Sequence, residues 1–204
     1  MTSTVTDGTH SATLAYNTYD SYSGCAGIAG LGGPASPPFH DSAYSSSFTY
    51  RGNLTWTTTP AGTTCRGFDL MGNVVSMQDP VGRTYTANIS GSTNYAAPSA
   101  ITTNSLTENL SWSPFLGLAG ETGPNLDSAG TVYDGYARPA STTSPYGAVT
   151  SYSYTTNTTT ATVNGRWMKT TVDGFARPLL AETGYGSTTV SQVDYVYGPC
   201  GCSP

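Results

Sequence analysis

Tight-turn signals recur along this chain at fixed intervals, and that spacing constrains its fold more than any other feature. Three segments share one frame: Phe68-Asp69-Leu70-Met71-Gly72, Tyr133-Asp134-Gly135-Tyr136-Ala137-Arg138-Pro139 and Val172-Asp173-Gly174-Phe175-Ala176-Arg177-Pro178. In each, a β-forming residue precedes the Asp, and a glycine follows thirteen residues after it: Asp69 to Gly82, Asp134 to Gly147, Asp173 to Gly186. A longer register agrees, because Gly52-Asn53-Leu54 with Pro60-Ala61-Gly62 returns twenty residues later as Gly72-Asn73-Val74 with Pro80-Val81-Gly82. Asp tolerates left-handed backbone and hydrogen-bonds the chain two residues on, so Asp134-Gly135 and Asp173-Gly174 read as tight turns. Asp79-Pro80-Val81-Gly82, Ser144-Pro145-Tyr146-Gly147 and Thr183-Gly184-Tyr185-Gly186 read as second turns, with Pro early or Gly late.

Between turns, apolar and polar residues alternate in Ala148–Tyr154 and Val190–Tyr197, which is the period of a half-buried strand. A single hairpin is marginal in water, so successive hairpins must pair edge to edge. The expected fold is therefore all-β: tandem β-hairpin repeats forming a continuous antiparallel sheet ribbon, open or partly curled. Composition agrees. Ser and Thr make up 59 of the 204 residues and Tyr another 15, while charged residues are 9%. Helix-building Ala, Glu, Lys and Leu are sparse. The frame is weakest around Asn157–Gly165 and through Ile101–Gly130. Residues 1–41, rich in Gly, Ser and Pro, are expected to be irregular, and residues 42–204 to form the repeat array.

The frame Tyr133-Asp134, Arg138-Pro139, Pro145-Tyr146-Gly147 and Tyr152-Ser153-Tyr154 resembles the YD repeat of RHS proteins and teneurins. Gly72–Arg83 and Asn164–Thr171 are similar to it as well. The resemblance runs from about Ser42 to Pro204, with residues 86–131 diverged. It implies a β-sheet ribbon of the kind that builds hollow shells around toxin domains or cell-surface adhesion scaffolds, with no catalysis by the repeats themselves. Two departures stand out. Ala137 and Ala176 occupy a position where the repeat usually has Gly, so each turn must avoid a left-handed residue there or bear a cost of about 1 kcal/mol. Asp79-Pro80-Val81-Gly82 matches the letters of the family's self-cleaving sequence, but it falls at an ordinary second-turn position and reads as a turn.

The residues offer little for chemistry. His40 beside Asp41 reads as a hydrogen-bonded loop, and His10 lies in a Ser/Thr-rich stretch. Glu108 and Glu121 flank Trp112-Ser113-Pro114-Phe115 without forming a recognisable catalytic constellation. Gly24–Gly33 lacks the spacing and the Lys of a phosphate loop. Four cysteines, Cys25, Cys65, Cys200 and Cys202, allow three fully paired disulfide schemes, among which Cys25–Cys65 would staple the N-terminal region. No cofactor and no metal is expected. One lysine and six scattered arginines make no phosphate-binding stripe, which argues against nucleic acid. No apolar run reaches membrane-spanning length.

The expected function is a non-enzymatic structural repeat segment of an extracellular or cell-surface protein, partnered by further repeats of the same or a longer chain. An extracellular filament subunit assembling through open sheet edges is the alternative, and a carbohydrate-binding module using Tyr and Trp faces is a weaker one. Sequons at Asn53, Asn88, Asn109 and Asn157 are no more than a chain this rich in Ser and Thr would carry by chance.

Overall fold

Nearly every stretch bounded by two turn signals forms a strand in the computed structural model, which describes residues 1–25, 27–28, 30–33 and 41–198. Among these residues there are sixteen antiparallel strands in one open sheet, ordered in the sheet as they are in the chain. Strand follows strand because each is joined to the next by a short turn. The one long excursion is between the second and third strands. The chain divides into two compact units, residues 1–116 with 122–125, and residues 117–121 with 126–204.

The first unit carries β1 (Thr2–Thr6), β2 (Ser11–Tyr19), β3 (Leu54–Thr59), β4 (Gly62–Phe68), β5 (Val74–Gln78), β6 (Thr84–Ile89), β7 (Pro98–Thr103) and β8 (Leu106–Trp112). The N-terminal stretch expected to be irregular thus begins with a hairpin, since β1 pairs with β2 and β2 with β3. Alternation in Ser11–Tyr19, with Leu14, Tyr16 and Thr18 sharing one side, is the signal for it. The described residues between Tyr19 and Leu54 form no strand, with a short 3-10 turn at Ser42–Tyr44, and they contribute Cys25 to the unit's core. Cys25 is bonded to Cys65 on β4. Gly24 lies so close to the Trp56 indole that a Cβ there would sit 3.1 Å from the ring. Gly32 makes a parallel bridge to Asp69, donating to Phe68 O and accepting from Leu70 N. Beneath this cover Thr55, Cys65, Phe68 and Leu70 are buried. Cys200 and Cys202 lie outside the described residues, as does His40.

Two residues without a regular element hold the cover in place. The Asp20 carboxylate accepts the backbone N–H groups of Arg51 (2.9 Å), Gly52 (2.8 Å) and Asn53 (2.9 Å). The Arg51 guanidinium donates to the carbonyls of Tyr44, Ser45, Phe48 and Leu70. One acid and one base thereby satisfy seven backbone groups that the absence of regular pairing would leave open.

The second unit carries β9 (Leu118–Thr122), β10 (Ser128–Tyr133), β11 (Pro139–Thr143), β12 (Val149–Tyr154), β13 (Thr158–Val163), β14 (Arg166–Val172), β15 (Pro178–Tyr185) and β16 (Thr188–Asp194). Residues 101–130, where no frame was visible, are as regular as the rest. A two-residue Asn104-Ser105 hairpin, left-handed at both positions, joins β7 to β8. Among its described residues, no segment of the second unit covers the sheet as residues Gly24 to Gly33 cover part of the first. Among its described residues only Gly184 is buried. Cross-strand pairs and turns, rather than a packed core, hold these strands together.

Opening the Cys25–Cys65 bridge is expected to cost the first unit about 2–5 kcal/mol. Urea titration followed by Trp56 fluorescence, with and without reductant, measures it. Reduction should also make the chain between Asp20 and Gly33 cleavable by thermolysin.

Candidate functional site: the turn cassettes

The turn residues carry the most regular chemistry in the molecule. Asp69, Asp79, Asp134 and Asp173 each open a five-residue turn of the same construction. In all four, one carboxylate oxygen accepts two backbone N–H groups: Met71 (2.9 Å) and Asn73 (2.8 Å), Val81 (3.0 Å) and Arg83 (2.9 Å), Tyr136 (2.9 Å) and Arg138 (3.0 Å), Phe175 (2.8 Å) and Arg177 (3.0 Å). The backbone closes each turn twice. For Asp134, its own N–H reaches Arg138 O at 2.8 Å and Ala137 N–H returns to Asp134 O at 3.1 Å. Ser144 opens a turn with the same two backbone bonds, its hydroxyl accepting from Ala148 N at 3.1 Å.

This is a type I turn followed by a left-handed residue, a common three-residue hairpin connection. The left-handed residue is the fourth: Gly72, Gly82 and Gly147, but also Ala137 (φ 60°), Ala176 (φ 61°), Leu116 (φ 64°) and Leu126 (φ 66°). Of the two options open to Ala137 and Ala176, the chain takes the left-handed one. Gly135 and Gly174 stand at the second position, where the other turns have Leu70, Pro80 and Pro145. Neither glycine has positive φ, and a residue with proline's fixed φ suits that place. Glycine's freedom is used two residues further on. Around Gly186 the third second-turn is tighter than Thr183–Gly186: β15 runs through to Tyr185, and its pairing shifts between Thr183 and Gly184.

In three of the four turns the second carboxylate oxygen binds the Arg at the fifth position. Arg138 Nε lies 2.9 Å from Asp134 and Arg177 Nε 2.7 Å from Asp173. These two guanidinium groups also lie over aromatic rings, Arg138 over Tyr154 at 4.1 Å and Arg177 over Tyr197 at 4.5 Å. Each tyrosine hydroxyl then donates to the carbonyl of the Pro after the Arg: Tyr154 to Pro139 and Tyr197 to Pro178, both 2.8 Å. Tyr133 to Leu118 O and Trp112 Nε1 to Pro98 O repeat the last step on other hairpins. Asp, Arg, Pro and a strand-end aromatic thus form one cassette. Sequence reasoning set Asp134, Arg138, Pro139 and Tyr154 in one frame without pairing the tyrosine to the arginine; Tyr154 stands sixteen residues after Arg138, and Tyr197 twenty after Arg177. In the Asp69 turn Asn73 replaces the Arg, its Nδ2 2.8 Å from the carboxylate, and Asp69 is itself buried.

The Asp134 carboxyl is held below its ordinary value chiefly by its hydrogen bond with the Arg138 side chain. At Asp173 the Arg177 backbone N–H leads, with the Arg177 side chain adding to it against the opposing effect of burial. At Asp79 partial burial is the largest influence and pushes upward, but the Arg83 side chain and the N–H groups of Arg83 and Val81 together outweigh it. Carboxylates with depressed folded-state values stabilise the fold above their unfolded value and lose that contribution as pH falls through the folded one.

His10 is hydrogen-bonded to Asp7 within the β1–β2 turn, and Asp41 accepts Ala43 N. Glu108 lies on β8 and Glu121 on β9. Among the described residues no group of three or more His, Cys, Asp or Glu is placed to hold a metal ion, and no helix is long and apolar enough to cross a membrane.

No protein-family model matches the chain, and no curated protein matches it in sequence. Its likeness is to solved structures. The chain superposes on the crystal structure of TcdB2-TccC3 with a TM-score of 0.61 at 12% identity, covering 94% of this chain and 10% of that one. The crystal structure of TcdB2-TccC3-Cdc42 gives the same values. At that identity the likeness is one of fold, and the fold is RHS-like.

Two outcomes are expected from the turns. Ala137→Gly or Ala176→Gly should stabilise the chain by up to about 1 kcal/mol, because glycine takes the left-handed conformation without strain; thermal denaturation measures it. The melting temperature should fall as pH drops below the ordinary carboxyl value of 3.8, and the fall should be smaller in the Asp134→Asn, Asp173→Asn double variant.

Proposed function

We propose that the chain is a non-enzymatic structural β-repeat segment of an RHS-type surface or secreted protein, one stretch of a shell or scaffold wall. The observation that carries this reading is the cassette itself. Asp134–Arg138–Pro139–Tyr154 and Asp173–Arg177–Pro178–Tyr197 devote their polar groups to holding one strand beside the next. Further repeats, of this chain or a longer one, are the natural partners of its outermost strands. An extracellular setting suits a chain with a Cys25–Cys65 disulfide and a single lysine.

A second reading rests on β1 and β16, which are exposed along their whole length. Neither strand contains lysine or proline, the usual guards of a sheet edge. If copies rather than further repeats occupy those edges, the chain is a filament subunit. The tryptophans give the carbohydrate-binding alternative little support, since Trp112 and Trp167 spend their indole N–H groups on backbone carbonyls.

Amide exchange and light scattering test the two together. The wall-segment reading expects a monomer at all concentrations, with β16 exchanging faster than β14 until adjoining repeats are supplied and slow it. Mass that grows with concentration, with elongated particles under negative stain, would establish the filament reading. A monomer whose β16 is already as protected as β14 would defeat both.

A further inference from the structure

Among the described residues, one cation of the second unit has no partner. Arg51 is bound by carbonyls, Arg66 reaches Thr57 Oγ1, Arg83, Arg138 and Arg177 are paired with aspartates, and Lys169 is 2.7 Å from Glu182. Arg166 is different: among the described residues its side chain makes no hydrogen bond, ion pair or ring contact, in a chain of net charge −5. It stands at the start of β14, directly opposite Val163 on β13 and Tyr185 on β15.

Directly opposed residues of neighbouring strands share a face. Thr150, Val163, Arg166 and Tyr185 therefore form one row across β12 to β15, and Ala161, Met168 and Thr183 lie in the next row on the same face. The two rows floor an open concavity of about 920 Å³. That is within the size range of small-molecule sites, about 300–1,000 Å³. Its apolar side chains are uncovered, with Met168 57% and Tyr185 63% exposed. Glu182, the acid on β15, has the opposite parity and is occupied by Lys169. The floor thus offers apolar surface, two threonine hydroxyls and one positive charge with no competing carboxylate on its rows.

We propose that this concavity binds a small single-chain anionic amphiphile, its acidic head paired with Arg166 and its apolar body lying on Val163, Ala161, Met168 and Tyr185. A guanidinium favours carboxylate, sulfate or phosphate oxygens through paired N–H donors. The apolar floor selects against small inorganic anions, which would leave Met168 and Tyr185 in water. The site is independent of the wall-segment reading, since it needs only strands β12 to β15.

Calorimetric titration of the whole chain with dodecanoate, below its micellar concentration, tests the proposal. One equivalent should bind, and dodecyl maltoside should bind much more weakly. Arg166→Gln should weaken dodecanoate about tenfold, the size of a lost charge-assisted contact, and leave the maltoside unchanged. Arg66→Gln removes the same charge from the first unit and should change nothing. Ala161→Trp, which fills the floor, should weaken both ligands; unchanged circular dichroism and melting in each variant confirms that the sheet persists. Equal binding of charged and neutral ligands, an equal loss in Arg66→Gln, or no loss in Arg166→Gln would overturn the site. So would a concentration-dependent dimer that Ala161→Trp abolishes, which would give the concavity to a second copy of the chain.

Discussion

The structure depends on a short polar interaction: an aspartate oxygen holding two backbone N–H groups across a five-residue turn. Turns of this type decide which residue of one strand faces which residue of the next. A slip of one residue would carry every side chain to the opposite face. In a sheet with a thick hydrophobic core such a slip is opposed by burial. Among its described residues the second unit buries almost none, so its turns must do more of that work. The aspartate fixes the turn, the arginine neutralises the aspartate, and the tyrosine ties the arginine's strand to its neighbour.

The two units solve the same problem differently. In the first, Gly24, Cys25 and Gly32 lie against Trp56, Cys65 and Asp69, and the Cys25–Cys65 bond, Asp20 and Arg51 secure this stretch. This creates the molecule's concentration of buried side chains around Thr55, Phe68 and Leu70. In the second, Tyr152, Tyr154 and Trp167 are partly covered, and among the described residues it is neighbours in the same sheet that cover them. Aromatic and β-branched side chains suit this situation because they shield backbone hydrogen bonds without a second layer.

Much of this was legible in the sequence. The Asp69, Asp134 and Asp173 frames marked turns, and alternation in Ala148–Tyr154 marked β12. The β1–β2 hairpin was obscured by its small polar residues, and Ile101–Gly130 by the lack of an Asp at the head of its turns. There Ser113-Pro114-Phe115-Leu116 and Gly123-Pro124-Asn125-Leu126 keep the proline at the second position and place leucine where glycine was sought. The partners of the cassette's tyrosines were hidden for another reason: they lie across a strand pair, at separations that vary with hairpin length. Asp20 and Arg51 left no local pattern at all, since each acts on backbone far along the chain or on carbonyls, which every residue possesses.

Alanine and leucine in the left-handed place bear on how far such a chain can drift. Backbone and side-chain hydrogen bonds hold the turn shape tightly enough for a residue with a Cβ to be accepted at modest cost. The position is therefore free to exchange glycine for other small or apolar residues without disturbing strand order. A lineage built this way can shed its most visible signature letter by letter while its backbone stays superposable, so that shape outlasts spelling.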